Sequence, residues 1–528
     1  MRTTVVRAAR VVTMDGEDVE AIATLDGSIV ATGAFDDLVA RFARAEVVDY
    51  GDATILPGFN DAHMHVTMMA MQLQGVDLSP ERTPSADVMR ARLRDAAEHA
   101  GPDGWVRASR YDQTVTTGGD IVDRHWIDAV VPDKPVVVTH VGAHWGVVNT
   151  RALKLAGFDR STADPPGGSY GRDAAGDLTG YLSEQALFDF AYPSLSRFPA
   201  LCPTVDESSL PALDEAFRLL LAAGITSIGD AMIGPAELAL LQLAKEQGRL
   251  PVRVNALVAF PHVDALARAG IRTGFGDEWL RIGGVKAFVD GAVAGRSCAV
   301  AEPFEGTDDR GVMTTDAAAL RELAERADAA GLALAVHANG ERAIELVLDV
   351  LESLPARSYR HRIEHCSIVT PGILRRMAAL GVIAVPFAGY PLYRGDNILA
   401  WYGHERAGRM FAHRSFLDAG ITVAGSSDYP CGPLPPLAGV RSMVERRSAS
   451  GAPVGPGQRV GLREALRIYT AGSAEASGEG DRKGRLAPGH VADFVVIAGD
   501  LFALDQTRLA DAEIVATWVG GVLRHERR

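Results

Sequence analysis

Two histidines one residue apart, His63 and His65, lie in the stretch ILPGFNDAHMHV at residues 55–66. They follow an apolar run and a Pro-Gly pair, which favours the end of a strand. Side chains at positions i and i+2 of an extended segment point to the same face. The two imidazoles can therefore converge on one point, and a shared metal ion is the chemistry that this arrangement indicates. Isolated His-x-His pairs also occur on surface loops, so the hypothesis requires further ligands.

Four more residues of metal-ligand type lie within or at the ends of other apolar runs: Lys286 in GGVKAFVDG, His337 in LALAVHANG, His365 in RHRIEHC and Asp428 in ITVAGSSDYP. Taken alone, such a histidine is typical of a hydrogen-bonded core residue, and an aspartate before Tyr-Pro is typical of a turn or helix cap. Lys286 is different, because a lysine inside an apolar strand is desolvated, which lowers its pKa and frees its amine for covalent chemistry. Together the six residues predict one common site.

The elements that must position these residues alternate in type. From about residue 200 onward, apolar β-type runs such as ITSIGDA are followed by segments of helical period such as PAELALLQLAKEQG. Such alternation predicts parallel strands. The strand candidates are 54–63, 225–230, 252–260, 282–290, 332–338, 361–366, 382–387 and 421–427. Eight strands make a (β/α)8 barrel, whose chemistry sits at the C-terminal ends of the strands, provided that residues 75–210 or so form an insertion.

Both ends of the chain are rich in short β-type runs. TTVVRAARVVTM and EDVEAIATLDGSIVATG open the chain, with Asp26-Gly27 as a hairpin signal, and GRLAPGHVADFVVIAGD and EIVATWVGGVLRHE close it. This pattern predicts that the two ends pair into one small sheet domain. The predicted division is residues 1–58 and 480–528 for that domain and 59–479 for the barrel with its insertion.

The composition narrows the class of protein. Hydrophobic residues make up 47% and charged residues 23% of 528 residues, the balance of a soluble globular protein. With 53 basic and 67 acidic residues the formal charge is −14, which repels nucleic acid and anionic membranes. No apolar run reaches the roughly 18 residues needed to span a bilayer, and we interpret the protein as cytoplasmic. A homo-oligomer of even number is the general expectation for its quaternary state.

The four cysteines, Cys202, Cys298, Cys366 and Cys431, are widely spaced and form no C-x-x-C pair. This spacing rules out a zinc-ribbon framework and argues against a disulfide scaffold. Cys298 and Cys366 are near site residues in sequence, but catalysis by a thiolate needs a base partner, and the sequence offers none. The cysteines are therefore expected to be buried thiols.

Further motifs occur in a fixed order along nearly the whole chain: LPGFNDAHMH, GWVRASRYDQ, GAHWGVVNTRALKLAGF, AGITSIGDA, VKAFVDGAVAGRS, VHANGERAI, RIEHC, GSSDYP, EALRIYTAGSAEASG and KGRLAPGHVADFVVI. The series resembles the metal-dependent amidohydrolase superfamily. It is most similar to amidohydrolase family 3, the branch that includes the N-substituted formamide deformylases. The resemblance implies an α/β fold, a distorted TIM barrel with a small β-sandwich built from both chain ends.

The resemblance also implies roles for the six residues. His63 and His65 would bind one metal ion, and His337 and His365 would bind a second or complete the site. Lys286 would carry a carbamate made from CO2 that bridges the metals. Asp428 would be a metal ligand and the general base towards the attacking water and general acid towards the leaving nitrogen. One or two Zn2+ ions, or another divalent metal, suit these ligands, and metal binding lowers the pKa of water from about 15.7 to near 7.

Departures from the family pattern concern the substrate rather than the ligands. Glu341 stands where an aspartate is expected, and no acidic residue precedes His144 in HVGAHWGVVN. His140 and His144 are candidates for contacting a substrate carbonyl or carboxylate, and the resemblance favours His144. The alternative for both residues is that they are histidines of a surface loop. Arg296, on a loop after Lys286, is a candidate for binding a substrate anion, with a structural ion pair as the alternative.

These observations favour a metal-dependent hydrolase of a non-peptide C-N bond, in an amide, formamide or cyclic amide of small size. A mononuclear deaminase of the same superfamily is the nearest alternative. Such deaminases have a glutamate three residues after the fifth-strand histidine, and Gly340 at that position counts against it. A non-catalytic, metal-stabilised regulatory or binding protein is the alternative from another class, since intact ligands do not prove turnover.

Overall fold

The structure, a computed structural model, describes residues 3–100 and 104–527. The strands of this part of the chain are β1 Thr3–Val11, β2 Val19–Leu25, β3 Ser28–Gly33, β4 Glu46–Asp49, β5 Thr54–Pro57, β6 Phe59–Met64, β7 Val76–Asp77, β8 Val106–Tyr111, β9 Val136–His140, β10 Trp145–Val148, β11 Gly168–Arg172, β12 Leu178–Glu184, β13 Ile225–Ile233, β14 Arg253–Ala259, β15 Leu280–Phe288, β16 Leu334–Ala338, β17 Arg362–His365, β18 Ile383–Pro386, β19 Phe494–Ile497, β20 Ile514–Val519 and β21 Val522–Glu526.

The α-helices of the same residues are α1 Phe35–Arg41, α2 Val66–Leu73, α3 Ala86–Glu98, α4 Gln113–Thr116, α5 Arg124–Asp128, α6 Thr150–Ala156, α7 Gln185–Ala191, α8 Leu210–Ala222, α9 Pro235–Glu246, α10 Val263–Arg268, α11 Ala317–Ala329, α12 Glu341–Glu352, α13 Pro371–Leu380, α14 Tyr390–Tyr393, α15 Gly395–Ala407, α16 His413–Asp418, α17 Pro436–Glu445, α18 Leu462–Arg467 and α19 Ser473–Ala476. Of the helices so described, none has the length and apolar character required to cross a membrane.

Seven parallel strands form the central, barrel-like sheet, in the order β18-β17-β16-β15-β14-β13-β6. Helices between the strands bury an apolar face against it. In α12, Ile344, Val347, Leu348 and Leu351 recur at i, i+3, i+4 and i+7 and are all buried. The predicted alternation of strand and helix therefore gives the α/β, barrel-like architecture that the sequence indicates.

The eighth predicted strand, 421–427, is wrong as a regular strand. Its segment forms only isolated parallel bridges, Ala384 of β18 with Val423 and Phe387, just after β18, with Ser426. Other backbone donors of the segment go elsewhere: the Ser427 N–H to an Asp61 carboxylate oxygen at 3.1 Å, and the Gly425 N–H to the Ser473 hydroxyl at 3.0 Å. The segment still closes most of the ring, because the Ala62 N–H donates to the Gly425 carbonyl at 2.8 Å.

The first predicted strand, 54–63, is two strands in two sheets. β5 ends at Pro57 and belongs to the sheet of the chain ends, whereas β6 begins at Phe59 and is a barrel strand. The break falls at Gly58, where a Cβ atom would lie 2.2 Å from the Thr226 hydroxyl oxygen. Only glycine allows β13 to approach this closely.

Strands from both ends of the chain form one eight-stranded sheet, in the order β21-β20-β19-β5-β1-β2-β3 with β4 beside β1. The antiparallel pair β5 and β19 joins the N-terminal to the C-terminal part. The structure therefore shows that both chain ends contribute strands to one sheet. The division of this sheet into the two layers of a sandwich stays a prediction.

The segment between β6 and β13 carries a six-stranded sheet of its own, in the order β11-β12-β10-β9-β8-β7. Its apolar face packs on residues at or just after the C-terminal ends of barrel strands. Met68 of α2 and Met232 and Ala259 of β13 and β14 share one buried cluster with Val137 and Leu187. The insertion therefore covers the end of the barrel at which the predicted ligands lie.

Candidate metal centre

One cavity, of about 30 Å³, lies at the C-terminal ends of the barrel strands. The residues in its wall include all six predicted ligands: His63, His65, Lys286, His337, His365 and Asp428. Each of the six is buried. Distant segments of the chain thus bring four imidazoles, one amine and one carboxylate to a common space.

His63 and His65 at the end of β6 both turn Nε2 towards Asp428. The His63 Nδ1–H donates to a Glu364 carboxylate oxygen, and the His65 Nδ1–H donates to the Ala231 carbonyl at 3.0 Å. With the ring protons held there, Nε2 is the ligating nitrogen of both rings. These atoms lie 3.4 Å and 3.2 Å from Asp428 Oδ1.

His337 and His365 end adjacent barrel strands, with ring centroids 4.6 Å apart. His337 donates from Nε2 to the Gly291 carbonyl at 3.2 Å, so Nδ1 is its nitrogen for a ligand. The His365 ring stacks on Phe387 at 4.2 Å. Burial, together with neighbouring imidazoles, lowers the pKa of both histidines well below the usual value, which keeps them neutral, the form that binds metal ions.

Asp428 closes the ring of ligands from the segment after 421–427. Its backbone N–H donates to the His63 carbonyl at 3.0 Å, which fixes it beside β6. Burial opposes its charge, but the neighbouring imidazoles of His63, His65 and His365 outweigh burial and hold the pKa well below its usual value. Asp428 and His365 both have positive φ, 53° and 69°, backbone conformations that cost of order 1–3 kcal/mol and collect at functional sites.

Lys286 lies on β15 inside the cavity wall and is 1% exposed. Burial lowers the pKa of its amine to about 8, against the opposing influence of Glu364 and Asp428. More of the amine is therefore uncharged near neutral pH than in an exposed lysine, and carbamate formation with CO2 requires the uncharged amine. Its Nζ lies 4.6 Å from the centre of the Phe288 ring.

The donor set fits a divalent metal ion. Ligand atoms of His63, His365 and Asp428 all lie within 4.8 Å of one another. Among the described residues, His63 Nε2 and His365 Nδ1 are buried without a hydrogen-bond partner. Buried polar atoms without partners are costly, and a cation bound between them would satisfy both.

Glu364 and Arg362 orient His63, and neither residue was predicted from the sequence as part of the site. The Arg362 guanidinium donates hydrogen bonds to both carboxylate oxygens of Glu364, one of them at 2.8 Å. It also donates to the Ala62 carbonyl at 2.7 Å. Burial opposes the charge of Glu364, but Arg362 and His63 outweigh it and hold the carboxyl pKa far below its usual range. The signal in the sequence was the motif RIEH itself, in which charged residues lie in a predicted barrel strand. The structure shows that all four residues of this strand are buried.

Three buried aspartates, Asp61, Asp230 and Asp290, fix the loops that follow the strands. Asp290 accepts hydrogen bonds from the N–H groups of Asn339, Gly340 and Ala299 at 2.8–2.9 Å. Asp230 accepts from the first N–H of α2 at 2.8 Å. Burial raises the pKa of all three carboxyls to about 7. This bracing role of the three aspartates was not predicted from the sequence.

His144 comes from the insertion and lines the same cavity. Its Nδ1 pairs with a Glu184 carboxylate oxygen at 2.8 Å, and its ring centroid lies 5.1 Å from that of His337. Burial opposes protonation, but Glu184 outweighs burial and raises the pKa of His144. Sequence reasoning missed Glu184, which is 40 residues from His144 in the chain.

The other candidates lie elsewhere. Arg296 has its guanidinium carbon 5.7 Å from the Trp401 ring centre and is not among the described residues that line the cavity, so its substrate role stays a prediction. His140 is a buried residue stacked on Trp145 at 4.3 Å, and burial lowers its pKa to about 3. Cys431 does line the cavity, but burial raises the pKa of its thiol well above the usual value, which disfavours a thiolate nucleophile.

All four cysteines are free and buried, as the sequence predicts. The remaining cavity wall is mostly apolar, formed by Met68, Phe188, Tyr192, Met232 and Phe288. The centre is thus a small group of metal-ligand atoms enclosed by hydrophobic side chains.

Comparison with known proteins identifies the family. A family model described as amidohydrolase family matches residues 46–525. An N-substituted formamide deformylase of Arthrobacter pascens is 30% identical over 100% of this chain and 99% of its own length. The crystal structure of an uncharacterized metal-dependent hydrolase from Pyrococcus horikoshii superposes with a TM-score of 0.78 at 23% identity, and the match covers 96% of this chain and 99% of that one. A second such hydrolase, from Pyrococcus furiosus, superposes with a TM-score of 0.74 at 25% identity, and the match covers 96% of this chain and 100% of that one. The chain therefore belongs to the amidohydrolase family.

Proposed function

We propose that this protein is a metal-dependent hydrolase that cleaves a non-peptide C-N bond in a small amide, formamide or cyclic amide. The observation that carries the proposal is the convergence of His63, His65, Lys286, His337, His365 and Asp428 on one buried cavity. The formamide class is supported by the relative from Arthrobacter pascens, which covers the whole chain.

The six residues would hold one or two divalent ions, with Zn2+ the expected metal and a carbamate on Lys286 as the bridging anion. A bound ion of this kind supplies Lewis acidity and lowers the pKa of water. Imidazole and carboxylate ligands in a site with an open position are the donors that catalytic zinc prefers. The low pKa of Lys286, about 8, supports carbamate formation at neutral pH.

Asp428 moves the proton in the proposed reaction. Its carboxylate accepts a proton from water as the water oxygen bonds to the substrate carbonyl carbon, and it returns that proton to nitrogen as the C-N bond breaks. The low pKa of Asp428 keeps it ionised before the reaction. His144, held by Glu184 in the cavity wall, would donate a hydrogen bond to the carbonyl oxygen. Arg296 is kept in the proposal as the residue that would bind a substrate anion.

The deaminase alternative requires a glutamate at position 340, and the surroundings of Gly340 oppose a side chain there. A Cβ atom on Gly340 would lie 2.0 Å from the Ala299 carbonyl oxygen. The Gly340 N–H is also held by Asp290 at 2.8 Å, so the backbone is not free to move away. This packing favours the hydrolase over the mononuclear deaminase.

We also propose that residues 1–58 and 480–528 form the sandwich domain and that residues 59–479 form the barrel with its insertion. The proposed location of the protein is cytoplasmic. The pairing of β5 with β19 supports the first of these proposals.

The function is tested with protein reconstituted with zinc and a panel of N-formyl amines, N-acyl amines and cyclic amides, with release of the amine as the readout. We expect hydrolysis of at least one member by the parent and by the control Asp316→Asn, a helix-capping aspartate outside the cavity, and its loss in Asp428→Asn. Full metal occupancy with no hydrolysis of any member would contradict the proposal and favour the non-catalytic binding role.

A further inference from the structure

A second cavity, of about 50 Å³, lies beside the metal centre between α2 and the insertion. One wall is a face of α2 that includes Met68 and Met71. The opposite wall is a face of the insertion sheet that includes Val137 and Thr139, two positions apart on β9 and so on one side of that strand.

The second cavity shares two wall residues with the central one, Met68 and Tyr192. Tyr192 is fixed, because its hydroxyl donates to the Ala143 carbonyl at 3.1 Å and its ring packs 5.6 Å from that of Phe188. Met68 has an unbranched side chain with three rotatable bonds, so it can change rotamer at low cost. Met68 is therefore the movable part of the partition between the two cavities.

The chemistry of the second cavity fits an uncharged, apolar group. Methionine, valine, alanine and proline side chains contribute to its walls. Arg107 also contributes, but its guanidinium already donates to the carbonyls of Phe190 and Leu201 at 3.3 Å and 3.2 Å. The described wall also includes Gln72, Ser109 and Thr139, so it is mainly apolar with a few uncharged polar groups.

Size provides the second argument. Ligand pockets for small organic molecules measure about 300–1,000 Å³, whereas the central cavity has about 30 Å³. The space at the metal centre accommodates the reacting group and little more. A larger substrate extends past the wall of the central cavity, and the second cavity, of about 50 Å³, shares Met68 and Tyr192 of that wall.

We propose that the second cavity is the subsite for an apolar substituent of the substrate, an alkyl or cycloalkyl group attached to the amide, and that Met68 moves aside to admit it. This inference rests on the proposed function and names its substrate class: amides and formamides that carry a bulky apolar group on one side of the scissile bond. Val137 and Met71 then determine how large that group can be.

The test uses two pairs of substrates that differ in one substituent: N-cyclohexylformamide against N-methylformamide, and N-methylcyclohexanecarboxamide against N-methylacetamide. Val137 lines the second cavity and is not among the described residues that line the central one, so Val137→Phe is expected to narrow the second cavity. We expect it to lower kcat/KM for the cyclohexyl member of one pair at least about 10-fold, as a lost apolar contact can, and to change the methyl member less than about 3-fold.

Met71→Ala enlarges the same cavity and keeps the inference testable if Val137→Phe fails to fold. It should raise the ratio of kcat/KM for the cyclohexyl substrate to kcat/KM for the methyl substrate, or allow hydrolysis of a substrate with a larger ring. Leu73→Ala is the control, since Leu73 lies on the same helix but is 42% exposed and lines neither cavity among the described residues. Zinc content and circular dichroism confirm that each variant is folded and loaded.

The outcomes separate the two proposals. Hydrolysis with unchanged cyclohexyl-to-methyl ratios in both Val137→Phe and Met71→Ala would overturn the subsite and leave the hydrolase function intact. If the zinc-loaded parent hydrolyses neither these substrates nor any member of the wider panel, the proposed function and the subsite are both overturned.

Discussion

At the scale of the residue, a carboxylate decides which nitrogen of His63 faces the cavity. Glu364 accepts the Nδ1 proton and is itself held by Arg362, so the ring can neither rotate nor change tautomer without breaking an ion pair that is fully buried. Partners of this kind orient metal-binding histidines and raise their basicity. Glu364 is therefore a positioning residue for the metal centre.

Glu364→Gln should weaken metal binding by about 10- to 100-fold, because the amide removes the charge that fixes the Nδ1 proton of His63. The measurement is a competition titration of the apoprotein with a zinc chelator. Glu237→Gln is the matched control, since Glu237 is 2% exposed and caps α9 outside the cavity. Equal affinity in the parent and Glu364→Gln would mean that this carboxylate does not position His63.

Asp428→Asn should lower kcat by about 10²–10⁴-fold, the usual contribution of a general acid–base group. The amide cannot accept a proton from water, but it keeps the size of the side chain and its oxygen near His63 and His65. Rates are compared at equal metal occupancy, determined on the same samples. A variant that is fully loaded and retains the parental kcat would exclude Asp428 as the group that moves the proton.

The sequence predicts the six ligand-type residues because strand ends of a barrel share one edge and the residue types are those of metal ligands. It does not predict Glu364, Asp290 or Glu184 as supports. A charged residue inside a buried strand is visible in the sequence, but its partner is set by contacts between distant segments, such as Glu184 with His144 across 40 residues.

At the scale of the element, Asp61 joins the first barrel strand to the segment that closes the ring. One carboxylate oxygen accepts from the His63 N–H at 3.3 Å and from the Ser427 N–H at 3.1 Å. The bond to Ser427 replaces a ladder hydrogen bond, which is one reason why residues 421–427 are not a regular strand.

Asp61→Ala should lower the free energy of unfolding by about 2–4 kcal/mol, because it leaves two buried N–H groups without an acceptor. Asp61→Asn keeps an oxygen at the same place and should cost less than half as much. Urea unfolding of the two variants and the parent provides the comparison. Similar losses of unfolding free energy in Asp61→Ala and Asp61→Asn would mean that the side-chain acceptor does not account for the stability contributed at this position.

The pattern of strands and helices predicts most elements of the barrel, since each strand is a short apolar run and each helix has a regular apolar face. Two strands are wrong for reasons that a single-sequence pattern does not reveal. The break at Gly58 depends on the close approach of Thr226, and the irregular eighth segment depends on hydrogen bonds to Asp61 and Ser473.

At the scale of the whole molecule, a buried ion pair joins the barrel to the sheet of the chain ends. Arg253, at the start of β14, donates to both carboxylate oxygens of Asp493 at 2.7 Å and 3.0 Å, and the side chains are 3% and 5% exposed. Asp493 also accepts from the Gly520 N–H at 2.7 Å, in the turn between β20 and β21.

Asp493→Ala should destabilise the protein by about 3–5 kcal/mol, because it removes the buried acceptor of the Arg253 guanidinium and of the Gly520 N–H and leaves Arg253 only the exposed carboxylate of Glu278, at 3.5 Å. Asp264→Ala removes an exposed pair with Arg326 and should cost less than about 1 kcal/mol. Denaturant unfolding of both variants measures the difference. Equal effects would show that the contact between barrel and end sheet contributes no more than a surface ion pair.

The central claim, that this cavity is a metal site, is tested most directly by the metal content of the purified chain after reconstitution with zinc and removal of free ions. We predict at least about one ion per chain in the parent and in His99→Ala, an exposed histidine outside the cavity, and a loss of bound metal in His63→Ala and Lys286→Ala. A parent without stoichiometric metal, or cavity variants that retain it in full, would contradict the account.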